Sequence, residues 1–346
     1  MTGRVKGPAS KLTRREILAA AHRFYVDGEK QAAIAKEMGI SASYLARLLR
    51  RAREQGWVRV FIDADEEDEL AAAVKLRWPH LKHVSVVRTG PTPQATAEAL
   101  AERAARWFDA LLDRELGSPE PRVRNIAIGG GMVMRFMVDR VQRRRTSLSV
   151  APTALSTLPG ARVDRWTAPI VATLLAERLG LLDAHQGGER GHLLEARCKA
   201  PSDSLACLRG WFAGAGEDPV IQELRTFWND LDVVFLGCVG MGSNYGDVTT
   251  RLAELGLSAD DLEARGTIGV CANQFFNTRG ARVDLASGVP SYEEAMPLHS
   301  AREAAGRGSL VVLEAWGALS KPAPALLDGR VANAVFCDSS WCAAVL

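Results

Sequence analysis

Two groups of residues in this chain are of types, and at spacings, that can do chemistry. The first is short, polar and cationic: Ser41, Ala42, Ser43 and Tyr44 are followed by Arg47, Arg50, Arg51 and Arg53, with Gln31 upstream. On a helix, this order puts small hydroxyls first and guanidinium groups later. It suits an element whose first turns enter the DNA major groove, where serine, tyrosine and a bidentate arginine read base edges while later arginines meet phosphates. The second group is nearly bare backbone. Ile128-Gly129-Gly130-Gly131-Met132 and Leu236-Gly237-Cys238-Val239-Gly240-Met241-Gly242 each follow an apolar run, and glycine backbone can bring N–H groups close to an anion. Neither run is GxxxxGK[ST] or GxGxxG with an acidic ribose ligand. A glycine after a strand serves turn geometry as readily as a phosphate cradle, and the residues alone leave both readings open.

The first group needs two helices set steeply across a tight turn, and Gln31 to Arg50 supplies them. Ile34 and Met38 lie one helical turn apart, Ala35 is the small contact residue, and Gly39 can take the left-handed conformation that ends a helix. Ile40 fills the corner, and Ser41 can cap the next helix. Leu45, Leu48 and Leu49 give that helix a buried stripe. Upstream, Ile17, Ala20, Ala21 and Phe24 share one face of a supporting helix. Downstream, Trp57 to Ile62 alternates as a short strand, the wing of a winged helix-turn-helix. The charge agrees: residues 1–60 hold 13 Lys and Arg against 5 acidic residues, whereas the chain as a whole carries a net charge of +2. A polyanion is therefore drawn to the head, in a salt-dependent way.

At 346 residues the chain is long enough for a further domain with its own core. An acidic run from Asp63 to Glu69 marks the boundary. The expected division is a head of residues 1–62, a linker and helix over 63–80, and a second domain over 81–346. Beyond the boundary, short apolar runs alternate with helical stretches. Strands are expected at 83–87, 123–128, 146–151, 232–236, 310–314 and 333–337, and helices at 66–78, 94–116, 132–144 and 169–179. Such alternation predicts an α/β domain with a mainly parallel, Rossmann-like sheet, whose ligands bind beyond the carboxyl ends of the strands. No run of eighteen apolar residues and no secretory leader occur, so a soluble, cytoplasmic protein with no membrane partner is expected. Six cysteines without a CxxC pair read as reduced thiols, and scattered histidines predict no metal. No cofactor is expected either.

The segment FYVDGEKQAAIAKEMGISASYLARLLRRAREQGWVRV (24–60) resembles the N-terminal module of the SorC family of bacterial transcriptional regulators, relatives of the DeoR and central glycolytic regulators. AIGGGM, DVVFLGCVGMGS, GTIGVCANQFFNTRGARVD and VVLEAWGALSKPAPALLDGRVANAVFCDSSWCAAVL follow in that family's order. The resemblance implies a dimeric or tetrameric regulator whose effector domain is similar to glucosamine-6-phosphate deaminases and ribose-5-phosphate isomerases and binds phosphorylated sugars. It implies that Gly129, Gly130, Gly131 and Met132 cradle the effector, that Gly240 and Gly242 line the opposite wall, and that Lys321 supplies a cation for a phosphate. Cys271, Gln274 and Trp316 fall in the matching segments. Three positions depart from the family: Trp316-Gly317 replaces a GG pair, Cys271 an aspartate, and Met132 a serine or threonine. Each change removes a polar handle or adds apolar bulk. Two readings stay open: a less polar, non-phosphorylated effector, or a phosphosugar with Trp316 merely packing the core. An enzyme related to those isomerases and deaminases would need carboxylates near an open-chain sugar, for which Asp232, Glu314 and Asp338 are the candidates and Lys321 a Schiff-base lysine. A DNA-binding head on a catalytic domain is uncommon, so no enzyme activity is expected.

Overall fold

The computed structural model describes residues 12–25, 27–54, 57–58, 67–154, 167–181, 219–241, 258–283 and 296–346. The chain divides into two compact units, residues 1–65 and 66–346.

The first unit contains α1 (Arg14–Tyr25), α2 (Gln31–Glu37) and α3 (Ala42–Glu54). Thr13 and Glu16 start α1 by a reciprocal cap: Thr13 N–H donates to the Glu16 carboxylate at 2.7 Å, and Glu16 N–H donates to Thr13 Oγ1 at 3.3 Å. Ile17, Ala20 and Ala21 are buried, as are Ile34 and Ala35 on α2 and Leu45, Leu48, Leu49 and Ala52 on α3. The apolar spacing read from the sequence is thus the buried face of each helix. Gly39 ends α2 at φ 67°, where a side chain would be strained. Arg23 of α1 pairs with Glu29, just before α2, and with Glu37 at its end. Of the expected wing, residues 59–62 lie outside the described residues. Trp57 and Val58 donate their N–H groups to the Ala52 carbonyl, closing α3.

In the second unit the elements run α4 (Asp68–Arg77), β1 (His83–Val87), α5 (Pro93–Leu116), β2 (Asn125–Ile128), α6 (Met132–Arg140), β3 (Ser149–Pro152), α7 (Ala168–Arg178), α8 (Pro219–Trp228), β4 (Val233–Gly240), α9 (Ala259–Ala264), β5 (Thr267–Cys271), β6 (Gln274–Asn277), α10 (Leu298–Arg307), β7 (Leu310–Ala315), a 3-10 turn (Ala318–Ser320), α11 (Ala323–Asp328), β8 (Ala334–Asp338) and α12 (Ser339–Val345). The helix α4 packs here: Val74 and Trp78 are buried in this unit's core, and Trp78 Nε1 donates to Asp328 Oδ1 at 2.7 Å.

Six strands run parallel in the order β1-β8-β7-β4-β2-β3. The sheet as a whole is mixed, which corrects the expectation of a mainly parallel one. The cause is the length of β4. Its pairing with β7 ends at Gly237↔Glu314, and the overhang Cys238–Gly240 takes up β5 antiparallel, with β6 paired to β5 in turn. That hairpin turns on Ala272 and Asn273 at φ 49° and 57°, conformations usually signalled by glycine, so nothing in the sequence announced it. Another boundary moved for a side-chain reason: α6 stops at Arg140 rather than Arg144, because Val141 turns extended and the Gln142 N–H donates to the Asp109 carboxylate at 3.1 Å.

Apolar residues cover both faces of the sheet. Val312, Phe235, Ile128 and Phe336 face α5, α6 and α7, while Leu313, Leu236, Ala127 and Val335 face the helices α4, α8 and α10 to α12. Burial on both faces is why the strands read as unbroken apolar runs. Trp228 and Trp341 are fully buried with indole N–H groups donated to the Pro152 and Ser320 carbonyls, each at 3.0 Å. Each such ring removes surface worth about 4–6 kcal/mol of transfer free energy. Among the described residues no helix is long and apolar enough to cross a membrane.

Candidate functional site

On the first unit, α3 leaves Ala42, Ser43, Arg47, Arg50, Arg51 and Arg53 exposed on the side away from its leucines. Ser41 is its cap: the Tyr44 N–H donates to Ser41 Oγ at 3.1 Å, and Ser43 Oγ lies 3.1 Å from the same oxygen. Gln31 reaches across the turn, its Nε2 donating to the Ala42 carbonyl at 2.9 Å, and so ties the start of α2 to the start of α3. Tyr44 is half-buried against Leu48 and Ala52, with the Arg47 guanidinium 5.5 Å above its ring. The tyrosine therefore props the arginine outward, a cation–π contact that limits its rotamers.

On the second unit, the carboxyl ends of the strands gather the glycine loop, Thr153, Glu314 and Asp338. Gly129 continues β2 and donates its N–H to the Phe235 carbonyl at 2.9 Å; a Cβ there would stand 3.1 Å from that oxygen and 3.5 Å from Thr153 Oγ1. Close approach of backbone favours glycine at this position, since a Cβ would push the Phe235 carbonyl away by a few tenths of an ångström. Gly131 demands it for another reason: φ 114° and ψ 166° are closed to side chains, although the space around it is open. It precedes the first turn of α6 and offers no side-chain cap, so the amides from Met132 onward face the loop without one. Met132 itself leans on the core of the α5, α6 and α7 face.

The other predicted residues fall around β4 and β7. Gly240 lies against the turn: a Cβ there would stand at ordinary contact distance, 3.4 Å from Pro322 and 3.6 Å from the Leu319 carbonyl. Ser320 Oγ donates to the Cys238 carbonyl at 3.2 Å, so the turn 318–322, which carries the exposed Lys321, docks on the second glycine run. Cys271 and Gln274 are buried and face each other across the β5–β6 turn, and burial pushes the Cys271 thiol up to about 12. Cys238, Cys271, Cys337 and Cys342 are free, buried thiols. Gly242 lies outside the described residues. Trp316 is half-buried, packs on the same core face as Met132, and donates its indole N–H to Glu314 Oε1 at 2.6 Å. It is thus at once part of the core and the partner of Glu314.

The three carboxylates do not converge. Asp232 sits at the opposite end of the sheet, its Oδ2 accepting from the Arg124 and Asn125 N–H groups at 2.8 and 2.9 Å, and it has no place in the site. Asp338 is saturated, accepting from Thr89 and Ser340 hydroxyls at 2.6 Å each, from Gly317 N–H at 2.8 Å and from Trp341 N–H at 3.2 Å. Glu314 keeps a buried oxygen, Oε2, without a hydrogen-bond partner, and burial pushes its carboxyl up to about 7 against the opposing effect of the Trp316 hydrogen bond. Gly237 belongs to the second glycine run but was assigned no role of its own from the sequence. A side chain there would lie 3.8 Å from Glu314 Oε2 and 3.8 Å from the Gly130 carbonyl, so its bareness keeps the carboxyl next to the loop. Among the described residues no cluster of three or more His, Cys, Asp or Glu could hold a metal ion.

No family model matches the chain. The sorbitol operon regulator of Klebsiella pneumoniae is 25% identical over 272 residues, covering 78% of this chain and 79% of that protein. The crystal structure of the full-length sorbitol operon regulator SorC from the same organism superposes with a TM-score of 0.69 at 23% identity, over 96% of this chain and 99% of the other. A DeoR family transcriptional regulator from Listeria monocytogenes superposes at 0.59 and 15% identity, over 81% of this chain and 99% of its own. The chain is thus a homologue of the sorbitol operon regulator, with the fold of SorC- and DeoR-type transcriptional regulators.

Proposed function

We propose that this protein is a transcriptional regulator that binds double-stranded operator DNA through a winged helix-turn-helix and is controlled by a small metabolite. The observation that carries the reading is the exposed basic face of α3, set by Ser41 and Gln31, on a chain whose similarity to SorC spans both units. In this reading Ser43, Tyr44 and Arg47 read bases, and Arg50 and Arg51 meet phosphates. Residues 1–62 form the head and 81–346 the effector-binding and oligomerisation domain, Rossmann-like in its parallel part. One recognition helix spans too few base pairs for useful specificity, so a homo-oligomer, dimer or tetramer, presents two heads to half-sites one helical turn or a multiple apart. A phosphorylated sugar or related carbohydrate at Gly129–Met132, Gly240, Gly242 and Lys321 shifts the population between arrangements that match the operator and those that do not. The cytoplasm is the compartment this implies.

A second reading, a less polar and non-phosphorylated effector, draws on Trp316, which places an indole against Glu314. Operator duplexes selected from random DNA and titrated by fluorescence anisotropy test the regulator. Arg47→Ala is expected to weaken binding by about 1–3 kcal/mol at the selected site; an unchanged affinity removes Arg47 from the reading set. Lys321→Ala is expected to abolish the response to phosphorylated ligands, and a response that survives it excludes the phosphate role.

A further inference from the structure

Glu314 stands where β7 would otherwise continue its apolar run Leu310–Leu313, and it is 8% exposed. One carboxyl oxygen is held by the Trp316 indole at 2.6 Å, and Oε2 finds no partner among the described residues. An unpaired buried acceptor is costly, and more so when charged. Asp338, at the end of the neighbouring strand, shows the alternative: every hydrogen bond it needs is made within the fold. Oε2 is itself out of contact with solvent, and the bare backbone of Gly237 leaves a gap beside it. Gly237 lies between it and the Gly130 carbonyl, and any side chain at Gly237 would close that gap.

We propose that Glu314 Oε2 is a recognition point for a hydroxyl group of a polyhydroxy ligand seated between the Gly129–Gly131 loop and Trp316. This rests on the reading of that loop as the effector site and names the group that the site takes. A hydroxyl both donates and accepts, so it satisfies the carboxyl in either protonation state, which matters for a group that burial brings to titrate near neutrality. An ammonium only donates, and a phosphate oxygen meets a carboxylate as like charge. Beside the carboxyl, the indole offers the carbon face of the same ligand an apolar surface. Glu314 thereby discriminates by the position of one hydroxyl, since an analogue lacking it leaves the buried oxygen unpaired again.

Isothermal titration of the full chain with D-glucitol, D-fructose and D-fructose 6-phosphate tests this, with inorganic phosphate and D-glucosamine as anion and cation controls. At least one of the three polyhydroxy probes is expected to bind. Its affinity is expected to fall roughly 10- to 100-fold in Glu314→Leu, the loss of a charge-assisted hydrogen bond, and by less in Glu314→Gln, which retains an acceptor for Trp316. Thermal melting of both variants establishes that they fold. Binding unchanged by both substitutions overturns the proposal, as does binding by none of the three, by inorganic phosphate alone, or by glucosamine alone. Operator affinity of the unsubstituted chain is measured with and without the bound probe. A probe that binds through Glu314 but leaves operator affinity unchanged refutes the regulatory reading and leaves this one standing.

Discussion

Burial of Glu314 has a stability consequence that can be worked out and measured. Its carboxyl is raised from 4.5 to about 7 by desolvation, the Trp316 hydrogen bond acting in the opposite direction. The folded state therefore keeps a proton that the unfolded chain releases near 4.5. Below that pH the charge-dependent cost is absent; between about 4.5 and 7 stability falls as pH rises; above 7 that cost is fully present. Raising the carboxyl from 4.5 to about 7 corresponds to about 3 kcal/mol. Glu314→Gln keeps the shape and an acceptor for the indole but has no charge to bury. It is expected to match or slightly trail the parent at pH 5, where its amide leaves N–H donors unpaired, and to gain with pH until it is up to about 3 kcal/mol more stable at pH 8. Denaturant unfolding followed by tryptophan fluorescence from pH 5 to 8 measures this, because seven of the eight tryptophans lie beyond residue 66. Taking the difference between parent and variant cancels every other titrating group. A gap that does not change with pH, or a variant less stable than the parent at pH 8, refutes the reasoning.

Gly131→Ala is expected to destabilise the second unit by about 1–3 kcal/mol through its φ of 114° alone, read as a lowered melting temperature, since no neighbour lies within 4 Å of the new methyl. Ala272→Gly removes a strained φ of 49° from the β5–β6 turn and is expected to raise stability by about 1 kcal/mol in the same assay. Ser41→Ala removes the α3 cap and is expected to cost the head about 0.5–2 kcal/mol, visible as loss of helical circular dichroism at lower temperature.

The three helices of the first unit were legible because the interactions that form them are local. The 3.6-residue spacing of Ile34, Leu45 and Leu49, the left-handed Gly39 and the Ser41 cap act within twenty residues, so types and order are enough. Strand positions in the second unit were legible for the related reason that a strand buried on both faces must be apolar throughout. The helices α8, α10 and α11 went unread, and so did the β5–β6 hairpin, whose Ala-Asn turn lacks the usual glycine signal.

By itself, then, the amino-acid order determined a basic N-terminal helical unit, a sheet domain with glycine at two strand ends, and the apolar stripes that build both. Which carboxylate matters was decided only by the tertiary structure. Asp232 opens its expected strand, whereas Glu314 and Asp338 stand at the carboxyl ends of theirs and are indistinguishable in the sequence. Parallel pairing puts Asp232 at the wrong end, surrounds Asp338 with donors, and sets Glu314 against Gly237 in register, where a glycine leaves its second oxygen beside the loop. Register is a contact between distant segments, set by packing both faces of the sheet together, and no spacing within one strand encodes it.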